Sequence, residues 1–493
     1  MSVITQYLIV IVIYFVAMLG IGILAGRKIT GGDGDDYFLA KDKLSAAAIG
    51  FSFSATQMSG STYLGTVGTL STIGYPFVPG ALSSAAAPWF CYILLGDRVR
   101  QVAARLKSVT LGDIIESRYG KVASILSTCL MLVCLIPSVA GQLKAAGSAF
   151  QVLLNMPYMT AIIVFGTIVL IYTLLGGMFA VAWTDLVQGI IMVVGILIMV
   201  PVCLGKVGGL TAMNEAFAQI NPQGASLTSG QPMMWVISGF LVWGFYQIGG
   251  QPAATTRFLT TSDGKTMKKA LSYSIVFESV IYLGISILAF CALPLLVGVD
   301  IPSSDMTLPL LIREYLHPLL GGVILAAALG AMMSTVDSVL LLISSLVVND
   351  IYVKRMHGDM ESKKAINIGR IAIVVAALLG FLIAMDPPDA IVWILTTGFS
   401  VQAAAFTFPL LLGLWWPGAT KAGGLCGIIS GAVMAIVWYV LGYIQFHSLS
   451  AWPGGIWPAV IGSIVSLIVC IVVSKFTPKS SEAELEVFFN EQD

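Results

Sequence analysis

Within the apolar run ILAAALGAMMSTVDSVLLLISS at 324–345, Ala331, Ser334, Thr335 and Ser338 recur at i, i+3, i+4 and i+7, the spacing of one helix face. Adjacent hydroxyls beside a main-chain carbonyl offer neutral oxygens, the ligands that a hard monovalent cation such as sodium takes. The same hydroxyls can instead bond back to carbonyls one turn earlier and carry no function. Asp337 lies in this run. An ionisable group deep in a membrane segment costs about 2.5–3.5 kcal/mol on insertion scales, so it is a functional candidate by default. Asp185, in WTDLVQG, is a second such acid, with a helix N-cap near the inner surface as its alternative reading. Glu278 is a third, with no partner legible nearby. Lys144, in SVAGQLKAAGSAF at 138–150, has two readings. It reaches a surface along its own stem, or it faces a cavity and pairs with a ligand carboxylate or a membrane acid.

Two further apolar stretches resist a regular helix. GFSFSATQMSGSTYLG at 50–65 sets Ser52, Ser54, Thr56, Gln57, Ser59, Ser61 and Thr62 at mid-segment, and WGFYQIGGQPAATTRF at 243–258 holds Gly249, Gly250 and Pro252. Unwound backbone at membrane depth is tolerated only where it is buried or lines a cavity. Its freed carbonyls hold cations and its freed N–H groups hold anions. The plainer reading is that Gly and Ser let helices pack closely. Polar residues at or near the breaks (Gln57, Ser59, Gln142, Trp243, Tyr246 and Gln251) form the candidate substrate site, joined by Lys144 if it faces inward.

These residues need a scaffold, and composition says which. The 493-residue chain has a mean hydropathy of +0.93, and only 10% of its residues are charged. Soluble domains carry about 25% charged residues, so the chain reads as an all-α membrane protein. Spans of roughly 20 residues number thirteen: 4–26, 45–72, 76–96, 122–150, 157–175, 183–205, 233–255, 270–297, 317–345, 369–386, 389–414, 422–444 and 455–474. The first, followed by Arg27 and Lys28 and lacking a basic start, reads as a retained helix rather than a signal peptide. With the N-terminus outside and the C-terminus inside, 22 of the 25 Lys and Arg fall on the inner side. The chain divides into a first helix and inner loop (1–44), a five-helix segment (45–205), an outer loop (206–232), a second five-helix segment (233–414), two last helices (415–475) and a mobile cytoplasmic tail (476–493). Broken helices at matching positions of two halves point to a 5+5 inverted repeat, a transporter architecture. The seven cysteines form no CxxC and read as packing residues. No catalytic constellation argues for an enzyme, and no basic aromatic stripe argues for nucleic-acid binding.

Several motifs then carry a resemblance over nearly the whole chain. DDYFLA at 35–40, SATQMSG at 54–60, YTLLGGMFAVAWTDLVQG at 172–189, GQPAATTRFL at 250–259 and MSTVDS at 333–338 resemble the sodium:solute symporter family. MDPPDAIVWIL at 385–395 and FPLLLGLWWPGATKAGGL at 408–425 look like its pantothenate branch, and GQPAATTRFL like its proline branch. The resemblance implies a leucine-transporter-type core and a multi-pass protein of the plasma (inner) membrane. It implies a coupling sodium held by the carbonyls of Ala55, Met58 and Ala331 and the hydroxyls of Ser334 and Thr335, and a second sodium near Asp185, Asp337 and Ser338. Gln57 departs from the proline branch, which has aspartate there. The expected activity is sodium-coupled import of a small organic solute, carboxylate-bearing, such as pantothenate or proline. The alternative is a proton-coupled symporter of a small organic acid using Asp185, Asp337 or Lys144.

Overall fold

The computed structural model describes residues 1–26, 44–228, 230–261, 263–360, 362–387 and 390–489, and all regular structure among them is helical. The DDYFLA motif lies outside the described residues. α1 spans Val3–Gly26. α2 (Ala46–Gln57) starts where the Ser45 side chain accepts the Ala48 N–H and stops at Met58, whose φ/ψ of −75°/98° leaves the helix. A π-helical turn at Ser61–Gly65 then leads into α3 (Thr66–Ile73). α4 (Val78–Cys91) continues through a π-helical turn at Tyr92–Gly96 into α5 (Asp97–Leu106). The short α6 (Leu111–Tyr119) opens on a reciprocal cap between Thr110 and Asp113.

α7 (Lys121–Leu154) precedes α8, the run Tyr158–Val207, which is broken at Gly177 (φ 58°, ψ −172°). Only glycine takes that conformation readily, so the spans expected at 157–175 and 183–205 meet without a loop. α9 (Leu210–Ile220) and α10 (Met233–Phe245) lead to the second break. There a π-helical turn at Tyr246–Gly250 and a non-helical Gln251 (φ −127°, ψ 65°) precede α11 (Pro252–Leu259). α12 (Gly264–Leu295) is capped by Asp263 and followed by α13 (Thr307–Tyr315). α14 (Pro318–Ser345) runs through a π-helical stretch, Leu346–Val353, into α15 (Lys354–Met356). α16 (Lys363–Met385), α17 (Ile391–Trp415), α18 (Lys421–Phe446), α19 (Pro458–Phe476) and α20 (Glu482–Phe489) complete the chain.

Among the described residues, eleven helices are long and apolar enough to cross a membrane. Two expected spans take other forms: the shorter apolar stretch Tyr158–Leu174 and the interrupted pair α2 and α3. Their burial sorts them. α14 and α17 are mostly enclosed, whereas α1 and α16 turn most of their surface outward, with Val16, Ile371 and Leu382 exposed. An apolar outward face fits lipid rather than water. α14 is therefore a central post, packed by α1, α7 and α8 and crossed by α2.

The tail departs from expectation. It is expected to be mobile, yet α20 docks. Phe488 is buried, Arg118 lies over the Phe488 and Phe489 rings at 5.7 and 5.9 Å, and Arg105 donates to the Val487 carbonyl at 2.9 Å. Arg118 and Arg257 also enter the charge count as loop cations, and both are buried.

Candidate functional site

At the end of α2 three carbonyls lose the donors a continuing helix would supply. The Ser59 N–H, due to Ala55, meets the Thr62 hydroxyl at 3.3 Å, and the Gly60 N–H, due to Thr56, goes to Gln142 Oε1 at 2.6 Å. The Thr62 N–H, due to Met58, turns to the Ser59 carbonyl at 2.9 Å. The freed carbonyls face α14. Ser334 Oγ donates to the Ala55 carbonyl at 2.8 Å and lies 3.1 Å from the Ala331 carbonyl. Thr335 Oγ1 lies 3.0, 3.4 and 3.1 Å from the carbonyls of Thr56, Met58 and Ala331. The hydroxyl pair therefore makes both the back-bond to its own helix and the reach to a second one. Ala55, Met58, Ala331, Ser334 and Thr335 meet at one crossing, and Thr56 joins them.

A second polar crossing lies one turn away. Asp185 sits inside α8, past the Gly177 break, and is not an N-cap. Its Oδ2 accepts the Ser52 hydroxyl at 2.5 Å and pairs with Arg257 Nη2 at 3.3 Å. Arg257 also donates to Ser52 Oγ at 3.0 Å and to Ser338 Oγ at 2.6 Å, and Ser338 meets Thr56 Oγ1 at 3.0 Å. Arg257 and Asp185 are 1% and 0% exposed, so this is a fully enclosed ion pair. Asp337 makes different bonds: it accepts from the Tyr172 hydroxyl and from the Ser338 N–H. The expected second sodium group thus does not form an open ligand set. A guanidinium already matches Asp185 and Ser338, and Asp337 turns to Tyr172.

The remaining candidates divide between the two breaks. Gln57 is buried with neither amide atom hydrogen-bonded, and Gln142 Nε2 and Trp243 Nε1 are likewise without partners. Ser59 is buried in the break itself. Trp243 packs edge-on against Tyr246 with centroids 5.2 Å apart, and the Tyr246 hydroxyl meets Ser400 at 2.8 Å. Gln251 opens α11, where its carbonyl accepts the Ala254 N–H. Lys144 pairs instead with Asp305 at 3.1 Å, and Asp305 also takes the Ile391 N–H at the start of α17. Its partner is an acid of a connecting segment.

Residues 37–431 match the model of the sodium:solute symporter family. The chain belongs to that family. It is 28% identical over 482 residues to the osmoregulated proline transporter of Bacillus subtilis (strain 168), covering 97% of this chain and 96% of the relative. It is 29% identical over 485 residues to a sodium/proline symporter of Staphylococcus aureus (strain NCTC 8325 / PS 47), covering 96% and 93%. Its fold is that of a sodium-coupled sialic acid symporter solved substrate-bound and outward-open (TM-score 0.78, 19% identity, 97% and 99% coverage). A nucleobase–cation symport transporter in a closed conformation is more distant (TM-score 0.55, 13% identity, 92% and 97% coverage). The symporter is a multi-pass membrane protein and not an enzyme by family.

Two residues escape the reading of spacing alone. Arg257 stands in the quoted GQPAATTRFL motif but reads as a loop cation, because nothing local shows α11 folding back on α2 and α14. Gln402, buried in α17 with both amide atoms unpartnered, carries no sequence signal beyond being polar in an apolar run.

Proposed function

We propose that this symporter imports a small zwitterionic or neutral polar solute, with proline the first candidate, coupled to one sodium ion bound at the crossing of α2 and α14. The observation that carries the reading is the convergence of the Ser334 and Thr335 hydroxyls on carbonyls of Ala55, Met58 and Ala331. A cation of calcium-like size takes oxygens at about 2.3–2.6 Å, which spaces neighbouring ligands by roughly 3.3–3.7 Å. The oxygen spacings here need only small outward shifts to reach that range. Such an ion bridges α2 and α14 beside the hydrogen bonds that already join them. Sodium then favours the arrangement in which they are joined, and its differential affinity for two arrangements is the coupling. The membrane potential adds about 2.3 kcal/mol per charge per 100 mV to inward movement, with the basic ends of the helices inside.

Substrate chemistry follows from what is unpaired. Gln57, Gln142 and Trp243 offer uncharged donors, and Gln57 also offers an acceptor. Lys144 is engaged by Asp305, which removes the reason for favouring a net anion such as pantothenate. A zwitterion needs donors for its carboxylate and acceptors for its amine, with no net charge on the protein. The full-length relatives named above as proline transporters point the same way. The proton-coupled alternative loses its named carriers, since Asp185, Asp337 and Lys144 all have partners. The test is uptake by proteoliposomes of proline, pantothenate, short monocarboxylates and a sugar, with and without an inward sodium gradient. Sodium-driven proline accumulation is expected. Accumulation driven by a proton gradient alone overturns the ion assignment.

A further inference from the structure

The helix α20 is seated on the basic end of the bundle. Its 8 residues are too few for a stable helix in isolation, so its order comes from the surface beneath it. Phe488 is the plug. It is buried in a narrow apolar crevice between α6 and α17, among Ile114, Ile115, Leu410 and Leu414. Arg118 lies over its ring at 5.7 Å and donates to Ser480 Oγ at 3.0 Å. Arg105 of α5 donates to the Val487 carbonyl at 2.9 Å, and Lys421 of α18 meets Glu484 at 2.5 Å. The helix carries Glu482, Glu484 and Glu486, and its seat carries Arg105, Arg118 and Lys421, so the charges complement each other.

This seat has two sides. On one, α6 is fixed to α17: Tyr119 donates to the Pro409 carbonyl at 2.6 Å, and Arg118 donates to the carbonyls of Gly413 and Trp416 at 3.1 and 3.2 Å. A Cβ on Gly424 would come within 2.2 Å of the Tyr119 ring, so α18 belongs to the same block. On the other side, α5 continues α4 through the π-helical turn and packs against α11, the helix beyond the second break. The Trp415 indole N–H donates to the Leu94 carbonyl at 2.7 Å, and Arg98 lies over the Trp415 ring at 4.5 Å, across the seam between the sides. α20 rests on both at once.

We propose that α20 is an autoinhibitory latch across the seam between α5 and the α6–α17–α18 block. The basic end is the inner face by its charge, and release of solute there requires the broken helices to part from the helices that flank them. α5 goes with α11 in that movement. While α20 is docked, Arg105 is tied through Val487 to a helix plugged into the opposite block, and the parting is resisted. When Phe488 leaves its crevice, α20 loses its seat and α5 is freed. A short helix held by one ring and a few polar bonds opens locally at far less cost than the bundle, so the latch releases without unfolding the transporter. It rests on the transport reading above, but not on the sodium ligands or the solute named there.

Phe488→Ala in the full-length protein tests this, with Phe488→Leu as the variant that keeps an apolar plug. The readout is the initial rate of sodium-driven proline uptake by proteoliposomes. Releasing the latch should raise that rate roughly two- to tenfold where a conformational step limits turnover, and Phe488→Leu should stay near the wild type. Damage to a merely structural helix has the opposite sign, so an unchanged or lowered rate in Phe488→Ala overturns the proposal. Should Phe488→Ala fail to fold, Arg105→Gln is measured in the same way and judged by the same outcomes. A wild type that takes up no proline under a sodium gradient overturns the proposed function instead. Hydrogen exchange over Asp97–Leu106 then decides the latch: faster exchange in Phe488→Ala than in the wild type supports it, and equal exchange refutes it.

Discussion

α2 is tied to α14 twice, and the two ties are built from opposite materials. At one, Arg257 supplies a permanent positive charge held by Asp185, Ser52 and Ser338. At the other, hydroxyl and carbonyl oxygens gather, and among the described residues no side-chain cation is bonded to them. A cation that is part of the chain cannot leave the protein, so the Arg257 crossing carries its positive charge whatever else is bound. A set of neutral oxygens is satisfied only weakly by its own hydroxyl protons, and it gains from an ion that comes and goes. On the sodium site proposed above, the contrast separates a structural tie from a coupling tie within one turn of helix.

The largest effect should follow from breaking the structural tie. Arg257→Ala leaves Asp185 charged, buried and unmatched, which costs about 3–5 kcal/mol for a buried pair. Low yield and a markedly lower melting temperature in detergent are expected. Pairing Arg257→Met with Asp185→Leu should recover much of that stability. A single Arg257→Ala protein as stable as the wild type would show that the stability of this crossing does not rest on the pair.

Breaking the coupling tie should do the reverse, sparing the fold and harming ion binding. Ser334→Ala or Thr335→Ala removes a neutral hydrogen bond worth about 1 kcal/mol, so sodium-free stability changes little. Losing one ligand to a cation is worth roughly 1.5–3 kcal/mol, a fall in sodium affinity of about tenfold or more. Sodium dependence of uptake measures it, and an unchanged half-saturating sodium concentration in both variants refutes the assignment.

The smallest effect concerns the clamp at the basic end, where Lys354 and Arg355 hold Glu116 of α6 at 2.9 Å each and Lys354 also reaches Asp113. Partial burial opposes ionisation of Glu116, but its bonds to Arg355 and Lys354 outweigh that and lower its pKa. A depressed carboxylate contributes stability that is full above its unfolded value and is lost as pH falls through the folded one. Hydrogen exchange over Leu111–Tyr119, corrected for intrinsic rates, should therefore quicken on acidification in the wild type and lose that response in Glu116→Gln. Because this pair is partly exposed, salt should weaken the effect.

Much of this architecture is readable without coordinates, because it depends on neighbours in the chain. Apolar runs of span length report a bilayer. Gly249, Gly250 and Pro252 report a break wherever they fall, and the i, i+3, i+4 spacing of Ala331, Ser334 and Thr335 puts them on one face of whatever helix forms. What tertiary structure alone decides is which faces meet. Arg257 reads as a loop cation until α11 lays it against Asp185, 72 positions away. Lys144 reads either as a cation reaching a surface or as one facing a cavity until Asp305 comes within reach of it. The tail reads as mobile until Arg118 and Phe488 show a docking place. Glu278 is only an acid in an apolar run until the fold encloses it completely. Periodicity and composition act over a few residues, so the sequence by itself determines helices, breaks and faces. Charge compensation acts across space, so only the assembled fold determines which charges are answered and which are left to bind something else.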